Sequence, residues 1–339
     1  TDSAYRNKLA SKAKSHVESY YSMDKCIAET IEIYERISGK KISDEKYRQL
    51  TLHRPIPYGY SDMGFLYAGD MNKIDNIAYH VLYGGIPEAF DVAIVRALLP
   101  FTNTFYDVGA NTGIYCWIAA QHYAKRKDQT KAKVYAFEPQ TDCVTALEAT
   151  RTLNNWESIV EILPIGIGDQ PGKGKLYLSG TGSSLTDDFA GKDLPAQTIE
   201  IKTLDSLRSD STYSNNEPAD FIKIDVEGFE LAVLHGAAET ISKDKPILFI
   251  EIANRIKSMN FKNEKYAETL AWLRDHGYRI WKCHNNAIEE IDARYDGDPQ
   301  IDMYLCLHKD KHANLVPVFA DAVKAFRSEN LILGLVEKR

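Results

Sequence analysis

Beyond residue 88 the chain alternates short apolar runs with stretches of three- and four-residue hydrophobic spacing. Residues 88–100 (EAFDVAIVRALLP) predict a helix that Pro100 ends. A strand at 104–109, a helix at 113–125, a strand at 133–139, a helix at 141–155 and a third strand at 160–169 follow. Residues 171–200 are rich in Gly, Ser and Asp with two weak strand signals, and read as an insertion or hairpin. The alternation resumes with a strand at 220–225 (DFIKID) and a helix at 227–241 that sets Leu231, Leu234, Ala238 and Ile241 on one face. A strand at 246–252, a helix at 265–277 and two last strands at 278–285 and 302–309 complete it. Short buried strands alternating with helices specify an α/β fold, doubly wound around a mostly parallel sheet with both faces covered.

The N-terminal region follows a different pattern. Ile27, Ile31, Tyr34 and Ile37 give it a helical rhythm, and Pro55 and Pro57 mark an irregular linker or cap at 51–75. The expected organisation is an N-terminal helical extension with linker or cap at 1–80, a main domain at 81–310 and a helical tail at 311–339. The segment YYSMDKCIAETIEIYERISGK resembles the C-terminal helix of two-domain (GT-B) glycosyltransferases. That resemblance implies a fused or associated glycosyltransferase as partner.

A formal charge of −7 argues against a general nucleic-acid binder, which needs a basic surface to meet phosphates. The five cysteines are scattered without CxxC or Cys/His spacing, which argues against a disulfide scaffold or structural zinc and points to reduced cytoplasm. No apolar run approaches the roughly 18 residues of a membrane span, so no transmembrane segment is expected.

The candidate chemistry sits where apolar strands end, the place at which open parallel sheets bind ligands. The first strand ends in Asp107 and runs into Gly109, Ala110, Asn111, Thr112 and Gly113. This GxxxG spacing lacks the GxGxxG of dinucleotide sites, and the acid before it would repel a pyrophosphate while attracting an ammonium group. S-adenosylmethionine carries such an ammonium and no phosphate. Glu138, before Pro139 at the end of the second strand, can accept hydrogen bonds from both ribose hydroxyls, a device that NAD enzymes share. In FIKIDVEGFE, Lys223 and Asp225 point to one face of the fourth strand, with Glu227 just beyond, and Glu251 closes the fifth strand. These polar groups are expected to ring one cleft.

Taken together, FYDVGANTG, VYAFEPQ, IGIGD, FIKIDVEGFELAVLHGA and ILFIEI resemble the FkbM family of methyltransferases in order and spacing, over roughly residues 80–310. The upstream GGIPEAFDVAIVRALLP resembles the family's lead-in helix, with Glu88 in its acidic position. The resemblance implies a class I, Rossmann-like methyltransferase fold whose seven-stranded sheet ends in an antiparallel strand. It also implies O-methylation, often of sugars, polyketides or related natural products, and hence a role in polysaccharide or natural-product biosynthesis with a sugar or glycan acceptor. Residue by residue, Asp107, Gly109, Ala110, Asn111 and Gly113 would hold the methionine end of the cofactor and Glu138 with Pro139 the ribose. Gly168 and Asp169 would lie beside adenine.

For the transfer itself two arrangements stand open. Asp225 or Glu227 takes the acceptor's proton, or Asp225 and Glu251 hold Mg²⁺ or Mn²⁺ that activates the hydroxyl. Lys223, within a buried run, and His308, on the last strand, are further catalytic candidates. The rival functions are a nicotinamide-dependent oxidoreductase and a non-catalytic glycan-assembly module that retains the fold with a vestigial cofactor site.

Overall fold

The computed structural model describes residues 58–69, 81, 85–126, 132–178, 183–185, 194–209, 217–256, 261–295, 297 and 301–332. The helical extension expected at the N-terminus, with its glycosyltransferase-like segment, lies outside these residues.

Eight strands form the main sheet: β1 (Thr104–Val108), β2 (Lys133–Phe137), β3 (Val160–Leu163), β4 (Phe221–Ile224), β5 (Ile247–Ala253), β6 (Tyr278–His284), β7 (Ala287–Ile291) and β8 (Ile301–His308). Their spatial order is β7-β6-β8-β5-β4-β1-β2-β3. The five strands from β5 to β3 run parallel, whereas β8 lies antiparallel between β5 and β6. Strand order reverses between β1 and β4, so their carboxyl ends open the crevice that such sheets use for ligands.

Alternation along the strands feeds two cores. Phe105, Phe221, Phe249 and Leu305 point to one face, under α1 (Ala89–Leu98), α2 (Ile114–Ala124) and α3 (Thr141–Leu153). Tyr106, Ile222, Leu248 and Tyr304 point to the other, under α4 (Leu204–Ser209), α5 (Glu230–His235), α6 (Ala238–Asp244) and α7 (Tyr266–Asp275). A final helix, α8 (Val316–Ile332), packs with α1 on the first face. The fold is thus the doubly wound α/β arrangement that the alternation predicts. No helix among the described residues is long and apolar enough to cross a membrane.

Three details differ from the expected elements. The third strand stops at Leu163 before Pro164, and Gly166–Ile167 joins a separate small sheet with Gly172–Tyr177 and Ala196–Lys202, the hairpin expected in 171–200. The helix expected at 227–241 splits into α5 and α6 at Gly236, where a Cβ would lie 1.9 Å from the Gly168 carbonyl oxygen. The eighth strand, β7, turns back from β6 through Asn285 and Asn286, both left-handed (φ 48° and 58°). Upstream, a hairpin of Tyr58–Tyr60 and Leu66–Ala68 docks on α3, where Asn154 and Thr150 accept from the amides of Leu66 and Ala68.

Candidate active site

The loop after β1 is shaped by two close approaches. The amides of Gly109 and Ala110 both donate to the Phe137 carbonyl, at 3.0 and 3.1 Å, tying the loop to the end of β2. Gly109 adopts φ +75°, and a Cβ there would lie 1.8 Å from the Asp225 carbonyl oxygen. Only glycine lets these two strand ends come so near.

Glu138 follows directly on β2. Its Oε2 accepts from the Asn111 amide at 2.8 Å and its Oε1 from the Gln140 amide at 2.7 Å. Each carboxylate oxygen keeps a further lone pair, so the pre-oriented group can still accept from a vicinal diol. Burial raises its pKa to about 7, against the lowering effect of the two amides.

Asp107, Lys223 and Asp225 form a chain beneath the loop. Lys223 Nζ lies 3.0 Å from Asp225 Oδ2 and 3.6 Å from Asp107 Oδ1, and donates to the Gly109 carbonyl at 3.1 Å. Burial works against the ammonium, but the two carboxylates outweigh it and hold its pKa above the ordinary lysine value. Asp107 is fully buried, its Oδ2 accepting from the Cys116 amide at 2.9 Å, and burial lifts its pKa to about 6.

Above this chain opens a cleft between the ends of β1, β2 and β4. Glu138 with Pro139 lines one part and Asp225 with Glu227 another, while Phe137, Ile165, Ile167 and Leu176 supply apolar wall. No lysine, arginine or histidine is among its described lining residues. A second cavity, open to solvent, adjoins it, lined by Glu88, Asp91, Glu251, Cys283, His284, Asn285, Asn286 and Asp302, among others. The two spaces meet at three carboxylates. Asp225, Glu227 and Glu251 each offer an oxygen within 4.8 Å of the others. Burial, then the neighbouring acids, pushes Glu227 up to about 8 and Glu251 well above its ordinary value.

The expected single ring of polar groups is therefore two adjoining spaces. Gly109, Asn111, Glu138, Pro139, Asp225 and Glu227 line the cleft. Asp107, Ala110 and Gly113 do not. Asp107 meets the cleft through Lys223 and Asp225, Ala110 is buried, and Gly113 packs on Trp117 and Leu147. Nor do Gly168 and Asp169. The wall comes from Ile165, Gly166 and Ile167, while Gly168 packs against Gly236 and Phe229 and Asp169 is exposed. Glu88 belongs to the second cavity, where its Oε2 accepts from the Tyr115 hydroxyl.

Two catalytic candidates are corrected by geometry. Lys223 is 3% exposed and lines neither cavity, because its ammonium is spent on two carboxylates and a carbonyl. His308 lies at the opposite end of the strands from the clefts, beside Tyr278 at the start of β6, and its Nδ1 accepts from the amides of Asp310 and Lys311. Burial there lowers its pKa. Asp91, His284 and Asp302 carry polar chemistry that the strand-end rule alone misses. The Asn-Asn turn before β7 was the signal available for that wall.

Backbone strain marks the same two spaces. Of the seven described non-glycine residues with positive φ, five, Glu88, Asn111, Glu227, Asn285 and Asn286, line one of the two spaces, and Asn155 and Lys245 lie elsewhere. Left-handed non-glycine residues cost of order 1 kcal/mol each and gather where function over-determines the backbone.

Residues 107–280, just over half of the chain, match the methyltransferase FkbM domain family. The methyltransferase sdnD of Sordaria araneosa is 31% identical over 173 residues, a match covering 42% of this chain and 63% of that protein. Among solved structures, methyltransferase FkbM from Methylobacillus flagellatus KT is similar at 18% identity, over 62% of this chain and 47% of that one, with a TM-score of 0.38. A SAM-dependent O-methyltransferase from Thermotoga maritima is similar at 13% identity, over 64% of each chain, with a TM-score of 0.30. The chain spans less than two thirds of the length of each of these relatives.

Proposed function

The chain belongs to the FkbM methyltransferase family, and from that premise we propose that it is an S-adenosylmethionine-dependent O-methyltransferase acting on a sugar-type hydroxyl. One observation carries the cofactor assignment. The cleft offers carboxylates at Glu138 and Asp225, and no cationic side chain among its described lining residues. That set suits a ligand with a ribose diol and an ammonium group, and disfavours the pyrophosphate of a nicotinamide dinucleotide. When bound, the cofactor supplies an activated methyl group on a sulfonium.

The chain's own residues do the rest. Glu138, held by two amides, orients the ribose, and Asp225, braced by Lys223, receives the positive end of the ligand. Phe137, Ile165 and Ile167 exclude water from the nucleoside. Much of the acceleration comes from aligning donor and acceptor. The acceptor would arrive from the side of Glu227 and Glu251.

A second reading adds a divalent cation. The convergence of Asp225, Glu227 and Glu251 oxygens within 4.8 Å fits Mg²⁺ or Mn²⁺, which take oxygen ligands. A glycosyltransferase acting with this chain remains part of the proposal as the source of a glycan acceptor.

The test is transfer of radiolabelled methyl from S-adenosylmethionine to a panel of sugars and oligosaccharides, with EDTA and with Mn²⁺ restored. Labelled, alkali-stable methyl ether on a sugar supports the reading. Label on a nitrogen or carbon acceptor, or none on any sugar while other hydroxyl compounds are methylated, refutes the acceptor class. Loss of turnover in EDTA with recovery on Mn²⁺ selects the cation version.

A further inference from the structure

The second cavity holds a pair of side chains that the donor cleft does not use. In the β6–β8 register Cys283 stands opposite Met303, which brings His284 beside Asp302. His284 Nδ1 lies 2.7 Å from Asp302 Oδ1. The aspartate side chain is 1% exposed and the imidazole 34% exposed, and both residues line the cavity.

We propose that this cavity binds the methyl acceptor, a polyhydroxylated molecule, and that His284 is the general base that takes its hydroxyl proton, with Asp302 as its positioning residue. This rests on the reading of the adjoining cleft as the S-adenosylmethionine site.

Position supports the assignment first. Glu251 lines this cavity and reaches within 4.8 Å of Asp225 and Glu227, which line the cleft, so an acceptor here enters beside the donor. Chemistry supports it next. Carboxylates and the amides of Asn285 and Asn286 present both acceptors and donors to a ligand rich in hydroxyls. Two of the cavity's acids are already engaged: Glu88 accepts from the Tyr115 hydroxyl, and Glu251 converges with Asp225 and Glu227. The imidazole is different. A proton on Nδ1 directed at a buried carboxylate fixes the tautomer and leaves the Nε2 lone pair free.

In the transfer, an oxygen lone pair of the acceptor forms the new bond to the methyl carbon. The carbon–sulfur bond breaks, and its electron pair goes to sulfur, leaving the neutral thioether. The hydroxyl proton passes to Nε2, and the resulting imidazolium faces the Asp302 carboxylate until it releases the proton to water.

The test is nitrogen-15 NMR of the histidines in the chain saturated with S-adenosylhomocysteine, titrated with methyl α-D-gluco-, galacto- and mannopyranosides. The expected result is a His284 signal protonated on Nδ1 whose Nε2 resonance shifts saturably with at least one glycoside. Asp302→Asn is expected to reverse that tautomer. If S-adenosylhomocysteine binds but all three glycosides leave the His284 signals unmoved, the acceptor cavity is wrong and the donor reading stands. If S-adenosylhomocysteine does not bind, the donor reading fails and takes this proposal with it. In turnover, His284→Gln should lower kcat by at least about 100-fold while KM for S-adenosylmethionine stays within about twofold. A kcat within threefold of the unaltered chain would overturn the base role.

Discussion

Replacing Lys223 with methionine tests how the site is braced. The ammonium sits 3.0 Å from one carboxylate and 3.6 Å from another, with a hydrogen bond to the Gly109 carbonyl, at a residue only 3% exposed. Methionine nearly keeps the volume but leaves two acids without their cation. Breaking a buried ion pair from one side costs about 3–5 kcal/mol, and the lost carbonyl contact adds about 1 kcal/mol. Protonation limits the damage. Asp107 already has its pKa raised to about 6 by burial, and loss of the ammonium that lowers it moves it higher still. An acid whose pKa is higher folded than unfolded binds its proton more tightly in the fold, so stability falls as pH rises between the two values. The substitution should therefore cost about 4–6 kcal/mol in urea unfolding at pH 8, and clearly less at pH 5, where Asp107 is largely neutral. A loss below about 1 kcal/mol at pH 8, or the same loss at both pH values, would refute the reasoning.

Two further predictions follow from the same loop and its acids. Gly109→Ala places a Cβ 1.8 Å from the Asp225 carbonyl in a left-handed conformation, so affinity for S-adenosylhomocysteine should drop at least about tenfold with an unchanged far-ultraviolet spectrum; wild-type affinity by calorimetry would contradict the close approach. The unliganded chain carries Asp107 near 6, Asp91, Glu138 and Glu230 near 7 and Glu227 near 8, all raised first by burial. Its urea midpoint should therefore fall as pH rises from about 5 to 8, and a midpoint that climbs over that range would contradict the burial of these acids.

Much of this architecture is legible in the sequence because parallel strands buried on both faces must be apolar nearly throughout, as FIKI and ILFIEIA are. The polar residues that end such runs stand out, which is why Asn111, Glu138, Asp225 and Glu227 could be named in advance. Strand β7 escaped because AIEEI is mostly exposed at a sheet edge, leaving the Asn-Asn turn as its only cue. Lys223 shows the limit of a rule about buried charge: it flags an unusual residue without saying whether the charge faces a ligand or braces two acids. The His284–Asp302 pair depends on an antiparallel register between strands separated in the chain by a hairpin, which composition and periodicity do not encode. The antiparallel run of β8 puts His308 at the opposite end of the strands from His284.

The most direct test of the donor cleft is calorimetric titration with S-adenosylhomocysteine, with NAD as the competitor ligand and Glu138→Gln as the altered chain. Hydrogen bonds to a charged group contribute about 1.5–3 kcal/mol. The account predicts micromolar affinity for S-adenosylhomocysteine, a loss of roughly 10- to 150-fold in Glu138→Gln, and no binding of NAD. Binding of NAD in its place would make the cleft that of an oxidoreductase. Binding of neither would leave a non-catalytic module on a methyltransferase fold, and would contradict the account.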